Sequence, residues 1–270
     1  RVMAGQEQGF FRLSVPTGGG KTMASLRFAL HHAQRHDLER IVYVIPYTSI
    51  IDQNAKSIRQ ALGVDMEDFD TVLEHHSNLN VNENDEEKTE FDYTRYKMLA
   101  ENWDAPIILT TMVQFLETLF GTGTNNCRRM HRLANSVIIF DEIQTLSVNM
   151  VHLFNLAVKF LVQGCGATVM LCTATQPLLH QLKTPARSIP FDFEKEITVS
   201  KEQKIQSLRR VSIFDRTRPL GWSASDIAEL ALDESGAKKS VLVIVNTKRG
   251  ASNIFKVLEN KAEIPVYHLS

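Results

Sequence analysis

The chain has 270 residues, a hydrophobic share of 43% and a formal net charge of −1. This length suffices for one large or two modest globular domains with a sizeable core. The near-neutral charge excludes an overall electrostatic attraction to nucleic acid or membrane, although it leaves room for a local basic groove.

Localisation is predicted from the cysteines and the apolar runs. No uninterrupted apolar run is long enough to span a bilayer, so we expect no membrane association. The three cysteines, Cys127, Cys165 and Cys172, are odd in number and show no CxxC spacing. Both features favour a reduced, cytoplasmic protein.

Short apolar segments alternate with helical patterns along the first two thirds of the chain. The strand candidates are residues 10–15, 40–46, 70–76, 106–111, 136–141 and 167–174. They are rich in valine and isoleucine and almost continuously apolar, which is typical of parallel strands buried on both faces. Amphipathic helical stripes start near Lys21 and Met150. The alternation predicts a doubly wound α/β domain.

The pattern is lost over residues 183–204, which contain two prolines and many charges. It resumes with strand candidates at 209–215, 240–247 and 266–270 and helices over 223–235 and 248–260. Ser223, with Asp226 three places later, indicates a helix N-cap. We therefore predict a first domain at 1–182, a linker or excursion at 183–204, and part of a second domain at 205–270. Because the chain starts at Arg1 and ends within an apolar run, we expect it to be a fragment of a longer protein.

The segment "SVPTGGGKTMAS", residues 14–25, has the form of a phosphate-binding loop between a strand and a helix. Its glycines allow successive backbone N–H groups to point at phosphate oxygens, and the following helix N-terminus adds partial positive charge. Lys21 would reach the β- and γ-phosphates, and the Thr22 hydroxyl would hold Mg²⁺. The strict pattern has glycine where Val15 stands. The alternative is a glycine-rich turn before an ordinary helix.

The segment "SVIIFDEIQTLS", residues 136–147, ends an apolar strand with Asp141 and Glu142. In phosphate-loop NTPases an acid at this position binds the Mg²⁺ shell, which fits Asp141. Glu142 could accept a proton from the attacking water. The alternative is an acid pair at the surface end of a sheet. The phosphate loop favours the catalytic interpretation, with ATP and Mg²⁺ as cofactors.

These motifs, in this order, resemble those of superfamily 2 helicases, whose D-E-x-x box here ends in Gln144. Segments 44–55, 108–115, 171–177 and 241–251 resemble the family's motifs Ia, Ib, III and IV. The stretches "VPTGGGKT", "EHHSN", "ENWDAPIILTT", "FDEIQ" and "CTATQP" are similar to the helicase of type I CRISPR interference, which is fused to an HD-type nuclease.

The resemblance implies a RecA-like phosphate-loop NTPase domain followed by the beginning of a second RecA-like domain. It implies ATP-driven 3′–5′ movement along single-stranded DNA after recruitment by a crRNA-guided surveillance complex. The nuclease domain and the arginine finger would lie outside this fragment, so we expect the fragment to bind nucleotide but hydrolyse it poorly. One alternative is another superfamily 2 translocase that acts on RNA or duplex DNA. A second alternative is a nucleotide-binding interaction module without turnover.

The resemblance also implies roles for individual residues. Nucleotide and Mg²⁺ would be bound by Thr17, Gly18, Gly19, Gly20, Lys21 and Thr22. Catalysis would use Lys21, Asp141, Glu142 and Gln144, with Gln144 sensing the second domain. Coupling of hydrolysis to movement would use Gln144, Thr173 and Thr175. The DNA backbone would lie near Pro46, Tyr47, Thr48, Thr110 and Thr111.

Two histidine pairs stand outside these motifs. His32 and His36 have the i, i+4 spacing of zinc ligands, and Asp37 completes an HD dipeptide. We favour a structural role, because cations at this helix C-terminus stabilise the macrodipole by about 0.3–1 kcal/mol. His75 and His76 end a strand candidate, and we expect packing and hydrogen bonding there rather than a metal site.

Overall fold

A computed structural model describes residues 3–15, 18–76, 90–190, 195–197, 211–219, 221–236, 240–262 and 264–269. The chain divides into two compact units, Arg1–Arg209 and Arg210–Ser270. No helix among these residues is both long enough and apolar enough to cross a membrane.

The first unit contains a seven-stranded sheet in which every pairing is parallel. Its strands are β1 (Phe10–Ser14), β2 (Arg40–Ile45), β3 (Val72–His75), β4 (Ile107–Thr111), β5 (Ser136–Asp141), β6 (Thr168–Thr173) and β7 (Glu196–Ile197). They lie in the order β3-β4-β2-β5-β6-β1-β7. All six strands predicted in this part of the chain are present, and the predicted α/β fold with a parallel sheet is confirmed.

Helices cover both faces of the sheet. They are α1 (Lys21–His36), α2 (Thr48–Leu62), α3 (Glu90–Asn102), α4 (Met112–Phe120), α5 (Thr124–Met130) and α6 (Val151–Gly164), with short 3₁₀ turns at Met3–Gly5, His131–Leu133, Ile143–Thr145, Val148–Met150 and Pro185–Arg187. Because successive strand residues point to opposite faces, the core divides in two. Ile139 packs in the cluster with α1 and α2, whereas Phe140 packs in the other with α4 and α6.

Phe140 shows why the central strand is fixed in place. It is fully buried, and its ring meets Phe115 edge-on at 5.0 Å and Phe154 at 4.8 Å between centroids. Burying such a side chain stabilises the fold by roughly 1.5–3 kcal/mol, and edge-to-face contacts add to that. The strand that carries Asp141 at its end is thereby anchored on the face covered by α4 and α6.

The second unit contains two helices among its described residues, Ala224–Ser235 and Lys248–Lys261. The predicted N-cap is present as a complete capping box, in which the Ser223 hydroxyl accepts from the Asp226 backbone N–H. The strands predicted at 209–215, 240–247 and 266–270 are wrong for their described residues, which form no β-ladder. A strand exists only with a hydrogen-bonded neighbour. Here Ile213, Leu242 and Tyr267 are instead 89, 77 and 84% exposed.

Candidate functional site

The glycine-rich loop joins β1 to α1. Gly18 and Gly20 have φ values of 78° and 79°, in the left-handed region that side-chain-bearing residues rarely adopt. Gly20 is also the N-cap of α1 and leaves that helix start without a side-chain cap. The first backbone N–H groups of α1 are thus available to an anion. Thr17 lies outside the described residues, so its predicted contact to nucleotide stays a prediction.

Lys21 and the two acids of the D-E-x-x box meet at the carboxyl edge of the sheet. The Lys21 Nζ atom lies 2.8 Å from Asp141 Oδ1 and also donates to Glu142 Oε1. Asp141 ends β5, and Glu142 follows it with a positive φ of 49° that turns the chain out of the strand. The fold therefore brings these three residues together across 121 positions of sequence.

The ion pairs set the charge states of the site. Burial alone would lower the pKa of Lys21, but the hydrogen bonds and charges of Asp141 and Glu142 outweigh it and raise that pKa. Burial likewise opposes ionisation of Glu142, yet hydrogen bonds from Lys21 and Gln144 lower its pKa overall. The lysine is therefore cationic and Glu142 anionic at neutral pH. Phosphate and metal must compete with this internal pairing.

Gln144 connects the acid box to the loop after β6. Its Nε2 donates to Glu142 Oε2 at 2.6 Å, and its Oε1 accepts from the Thr173 hydroxyl. The backbone N–H of Thr175 donates to the same Thr173 oxygen at 3.1 Å. An amide can donate and accept at once, which is what this bridging position requires.

Thr22 follows Lys21 at the start of α1. Its hydroxyl donates to Asn54 Oδ1 on α2 at 3.2 Å. Hydroxyl and carboxylate oxygens are the donors that Mg²⁺ prefers, so Thr22 and Asp141 fit a magnesium ion by their chemistry. Asn54 was not predicted from the sequence, because a lone buried asparagine leaves no periodic signal.

The family described as DEAD/DEAH box helicase matches residues 3–183 of the chain. The chain belongs to this helicase family. The match contains the phosphate loop, the acid box and the Thr173–Thr175 loop whose contacts are given above.

Individual relatives of this helicase chain are Cas3 proteins. The chain is 29% identical over 185 residues to the CRISPR-associated nuclease/helicase Cas3 of Haloferax volcanii, and the match covers 64% of this chain and 20% of that protein. The corresponding protein of Methanothermobacter thermautotrophicus is 25% identical over 266 residues, covering 95% of this chain and 30% of that protein. The chain thus spans less than a third of the length of either relative.

A solved structure gives the same fold. The crystal structure of T. fusca Cas3-ADP is similar with a TM-score of 0.52 and 20% identity, covering 63% of this chain and 19% of that one. This likeness concerns the fold alone, and it agrees with the predicted RecA-like architecture.

The helicase residues predicted to face DNA occupy the ends of two neighbouring strands. Ile45 of β2 is in register with Thr111 of β4, so Pro46, Tyr47 and Thr48 follow β2 at the same edge of the sheet at which Thr111 ends β4. Tyr47 is 55% exposed. The Thr111 hydroxyl caps α4 by accepting from Gln114 N at 3.2 Å.

Thr110, which was also predicted to lie near DNA, precedes Thr111 at the end of β4. It is fully buried, and its hydroxyl donates to the His75 carbonyl oxygen at 2.9 Å. Strand alternation explains this, because Thr110 and Thr111 point to opposite sides of β4. The Thr110 hydroxyl is therefore engaged at the sheet edge, and its proximity to DNA stays a prediction.

Gln176 also belongs to the site's surroundings and was missed. Its Nε2 donates to Ser14 Oγ at 3.2 Å and to the Leu171 carbonyl at 3.3 Å. Ser14 in turn donates to Glu196 Oε1 on β7 at 3.0 Å. The loop after β6 is thus tied to the strand that leads into the phosphate loop. Isolated polar residues of this kind become recognisable only when the strands are placed side by side.

His32 and His36 have a structural role through hydrogen bonds, but the predicted reason is wrong for His32, because burial lowers its pKa and it is no cation for the helix dipole. His32 is fully buried, with Nδ1 3.0 Å from the Ala4 carbonyl and Nε2 2.9 Å from the Thr168 hydroxyl. Since a carbonyl can only accept, Nδ1 carries the proton and Nε2 accepts from Thr168. His36 Nε2 lies 2.8 Å from the Gln6 carbonyl. Both rings hold the segment before β1 against α1.

Acid should destabilise the first unit through His32. Burial lowers its pKa from 6.5 to about 4, with His36 and Lys195 adding to the shift against the Ala4 hydrogen bond. Between pH 6.5 and about 4, the unfolded chain therefore protonates His32 while the folded chain keeps it neutral. The free energy of unfolding falls as the pH falls through this range. At pH near 5 the expected loss is about 2 kcal/mol, measured by urea unfolding against neutral pH.

The His32→Asn variant tests that assignment. It should be less stable than the wild type at neutral pH and lose less stability on acidification. His152→Gln, an exposed position on α6, serves as the control and should keep the wild-type pH dependence. An unchanged slope in His32→Asn would show that another group causes the acid lability.

Proposed function

We propose that this chain is the ATP-binding part of a type I CRISPR interference helicase. In this proposal ATP hydrolysis drives 3′–5′ movement along single-stranded DNA and unwinds target DNA after recruitment by a crRNA-guided surveillance complex. The observation that carries it is the continuous contact from Lys21 through Glu142 and Gln144 to Thr173. That series joins a phosphate-binding residue to a loop suited to transmit the state of the nucleotide.

The chemistry follows from the groups that the site presents. The phosphates of ATP would rest on Gly18, Gly19 and Gly20 and on the free N–H groups at the start of α1, with Thr17 beside them. Bound Mg²⁺ would supply charge neutralisation at the β- and γ-phosphates, held by Thr22 and Asp141. Lys21 would exchange its two carboxylates for phosphate oxygens.

Glu142 is the proposed general base. Its carboxylate is kept ionised by Lys21 and Gln144, as the lowered pKa indicates. When Lys21 turns to the phosphates, one of these stabilising contacts is lost and the basicity of Glu142 rises. The residue would therefore become a better proton acceptor for the attacking water only once nucleotide is bound.

Coupling is assigned to Gln144, Thr173 and Thr175, and the DNA backbone to the surface of Pro46, Tyr47, Thr48 and Thr111. Backbone recognition uses hydroxyl and N–H groups, which a near-neutral protein can supply. The partners in this proposal are single-stranded DNA, the surveillance complex and an HD nuclease domain outside the 270 residues. We propose cytoplasmic action without a membrane; all three cysteines are free thiols.

The 270-residue chain should bind ATP with Mg²⁺ but turn it over slowly. Among the described residues, the cation paired with the two acids is Lys21, which is not an arginine. An arginine that stabilises the transition state changes phosphoryl-transfer rates by roughly 10³–10⁵-fold. We expect that arginine from the remainder of a second RecA-like domain. Equilibrium binding of a fluorescent ATP analogue and steady-state ATPase assays measure the two properties separately. Robust DNA-stimulated ATPase from this chain would contradict the expectation.

Nucleic-acid preference separates the alternatives. In the full-length protein, single-stranded DNA should stimulate ATPase more than RNA or duplex DNA does. Preferential stimulation by RNA or duplex DNA would instead identify a different superfamily 2 translocase. Nucleotide binding without stimulation by any nucleic acid would identify an interaction module.

A further inference from the structure

The His75–His76 pair at the end of β3 is not used by the proposed ATPase site. Adjacent strand residues point to opposite faces, so the two rings have different surroundings. His75 packs against the core residue Trp103, with its ring edge-on at 5.9 Å between centroids. His76 lies on the face of Glu74, its i−2 neighbour, and turns toward α2. His75 is therefore a packing residue against Trp103, whereas His76 faces α2.

His76 forms a compact group with two acids. Its Nε2 lies 3.4 Å from Asp52 Oδ1 on α2, and one ligand atom each from Asp52, Glu74 and His76 all lie within 4.8 Å of one another. Among the described residues, these three form the group of histidine, cysteine, aspartate or glutamate side chains that is compact enough to hold a metal ion. The side chains of His76 and Glu74 are only 4 and 11% exposed, whereas that of Asp52 is 66% exposed. The group is anchored in the fold and open to solvent on one side.

Glu74 is fixed from behind by residues outside the group. Arg59 Nη1 donates to Glu74 Oε1 at 2.6 Å, and Arg59 Nη2 donates to the Val72 carbonyl at 2.6 Å. Tyr96 donates its hydroxyl hydrogen to the Glu74 carbonyl at 2.9 Å. Only the Arg59 Nη1 bond reaches the Glu74 carboxylate itself, and ligating carboxylates in metal sites are oriented by such outer hydrogen bonds.

The charge balance suits a dication. Burial raises the pKa of Glu74, and the nearby Asp52 adds to this, so a bound cation would favour the ionised form of Glu74. With both carboxyls ionised, Asp52 and Glu74 contribute two negative charges, Arg59 offsets one, and a neutral imidazole adds none. One negative charge remains, so a divalent ion would meet a net attraction. Imidazole nitrogen combined with carboxylate oxygen matches zinc-class ions, whereas Mg²⁺ prefers oxygen ligands alone.

We propose that Asp52, Glu74 and His76 bind one divalent transition-metal ion of the zinc class. Metal–ligand bonds of about 2.0–2.2 Å would draw the three atoms closer by small side-chain rotations, with water completing a tetrahedral shell. The ion enters from the exposed side of Asp52. It links α2, which begins at Thr48 and carries Asn54, to the end of β3. This site is independent of the proposed ATPase activity.

Titration of the 270-residue chain with Zn²⁺ by calorimetry, in excess Mg²⁺, tests the proposal. We expect one saturable site, and Co²⁺ in its place should give visible absorption bands that Zn²⁺ removes. Asp52→Asn should weaken Zn²⁺ binding at least about tenfold, because it removes a charged ligand at an exposed position without disturbing the core. His76→Gln should abolish the Co²⁺ bands.

Matched controls remove the same chemical groups elsewhere. Asp233→Asn and His152→Gln, both at exposed positions, should leave Zn²⁺ affinity unchanged. The absence of saturable binding in the wild type would overturn the proposal. Wild-type Zn²⁺ affinity in Asp52→Asn and His76→Gln would also overturn it, since the ion would then be held elsewhere, for example by the exposed thiol of Cys127.

Discussion

The Lys21→Ala variant of the full-length protein is expected to lose ATP hydrolysis by at least about a hundredfold. Lys21 is the cation that the fold places against both acids of the D-E-x-x box. In the proposed reaction its ammonium group moves to the β- and γ-phosphates, where negative charge develops as the bond breaks. Alanine offers neither the charge nor the reach. Nucleotide affinity should fall together with the rate.

Loss of Lys21 has a second effect that must be separated from catalysis. Asp141 and Glu142 are neighbours, and the lowered pKa of Glu142 depends on the hydrogen bond and charge of Lys21. Without the lysine that pKa should rise, and Glu142 should contribute less stability at neutral pH, where its ionised form had been favoured. Lys21→Arg keeps a cation against the acids, so it should restore stability while remaining deficient in hydrolysis, because a planar guanidinium does not replace the compact ammonium group.

Lys97→Ala, at an exposed position on α3, is the control for loss of a positive charge. It should retain wild-type ATPase activity. In cells, plasmid interference should be lost in Lys21→Ala and kept in Lys97→Ala. If interference survived without Lys21, ATP turnover would not be the function of this loop, and the interaction-module alternative would be favoured.

The first unit could be predicted well because its signals are local. A strand buried on both faces is a continuous apolar run, and β5 shows this most clearly, from Val137 to Phe140. The phosphate loop is contiguous in sequence and constrained by its glycines. Asp141 and Glu142 follow a strand whose end lies at the carboxyl edge of a parallel sheet, where ligands of such folds bind. The contact between Lys21 and these acids could therefore be predicted from the sequence.

What was missed depends on long-range neighbours. β7 has two described residues, too few for a periodic signal, and it forms by pairing with Arg12 and Leu13 of β1. The strands predicted around Ile213 and Leu242 had a suitable pattern but find no ladder partner among the described residues. Thr110 and Thr111 are the same residue type, and only the alternation of side chains along β4 shows that Thr110 is the buried one. His76 acquired its partners Asp52 and Glu74 through the packing of α2 against the sheet.

Gln144→Ala should retain ATP binding and uncouple hydrolysis from unwinding in the full-length protein. Gln144 contacts neither the loop glycines nor Lys21 in the described hydrogen bonds, so nucleotide affinity should stay near the wild-type value. Its amide is the bridge between the Glu142 carboxylate and the Thr173 hydroxyl. Removing the bridge leaves both groups in place without a common partner. Base pairs unwound per ATP hydrolysed should then fall at least about fivefold, the lower range of typical coupling energies.

The partner residue supplies the matched control. Thr173→Val removes the hydroxyl from the other end of the same bridge and should give the same loss of unwinding per ATP. If the two residues act through one contact, the Gln144→Ala/Thr173→Val double variant should be no worse than either single variant, whereas independent roles would make the losses multiply. Because an amide does not titrate, the coupling ratio of the wild type should also be flat across neutral pH, where a histidine at this position would introduce a pH dependence. Unchanged unwinding per ATP in Gln144→Ala would refute the assignment and leave Gln144 as a residue that merely orients Glu142.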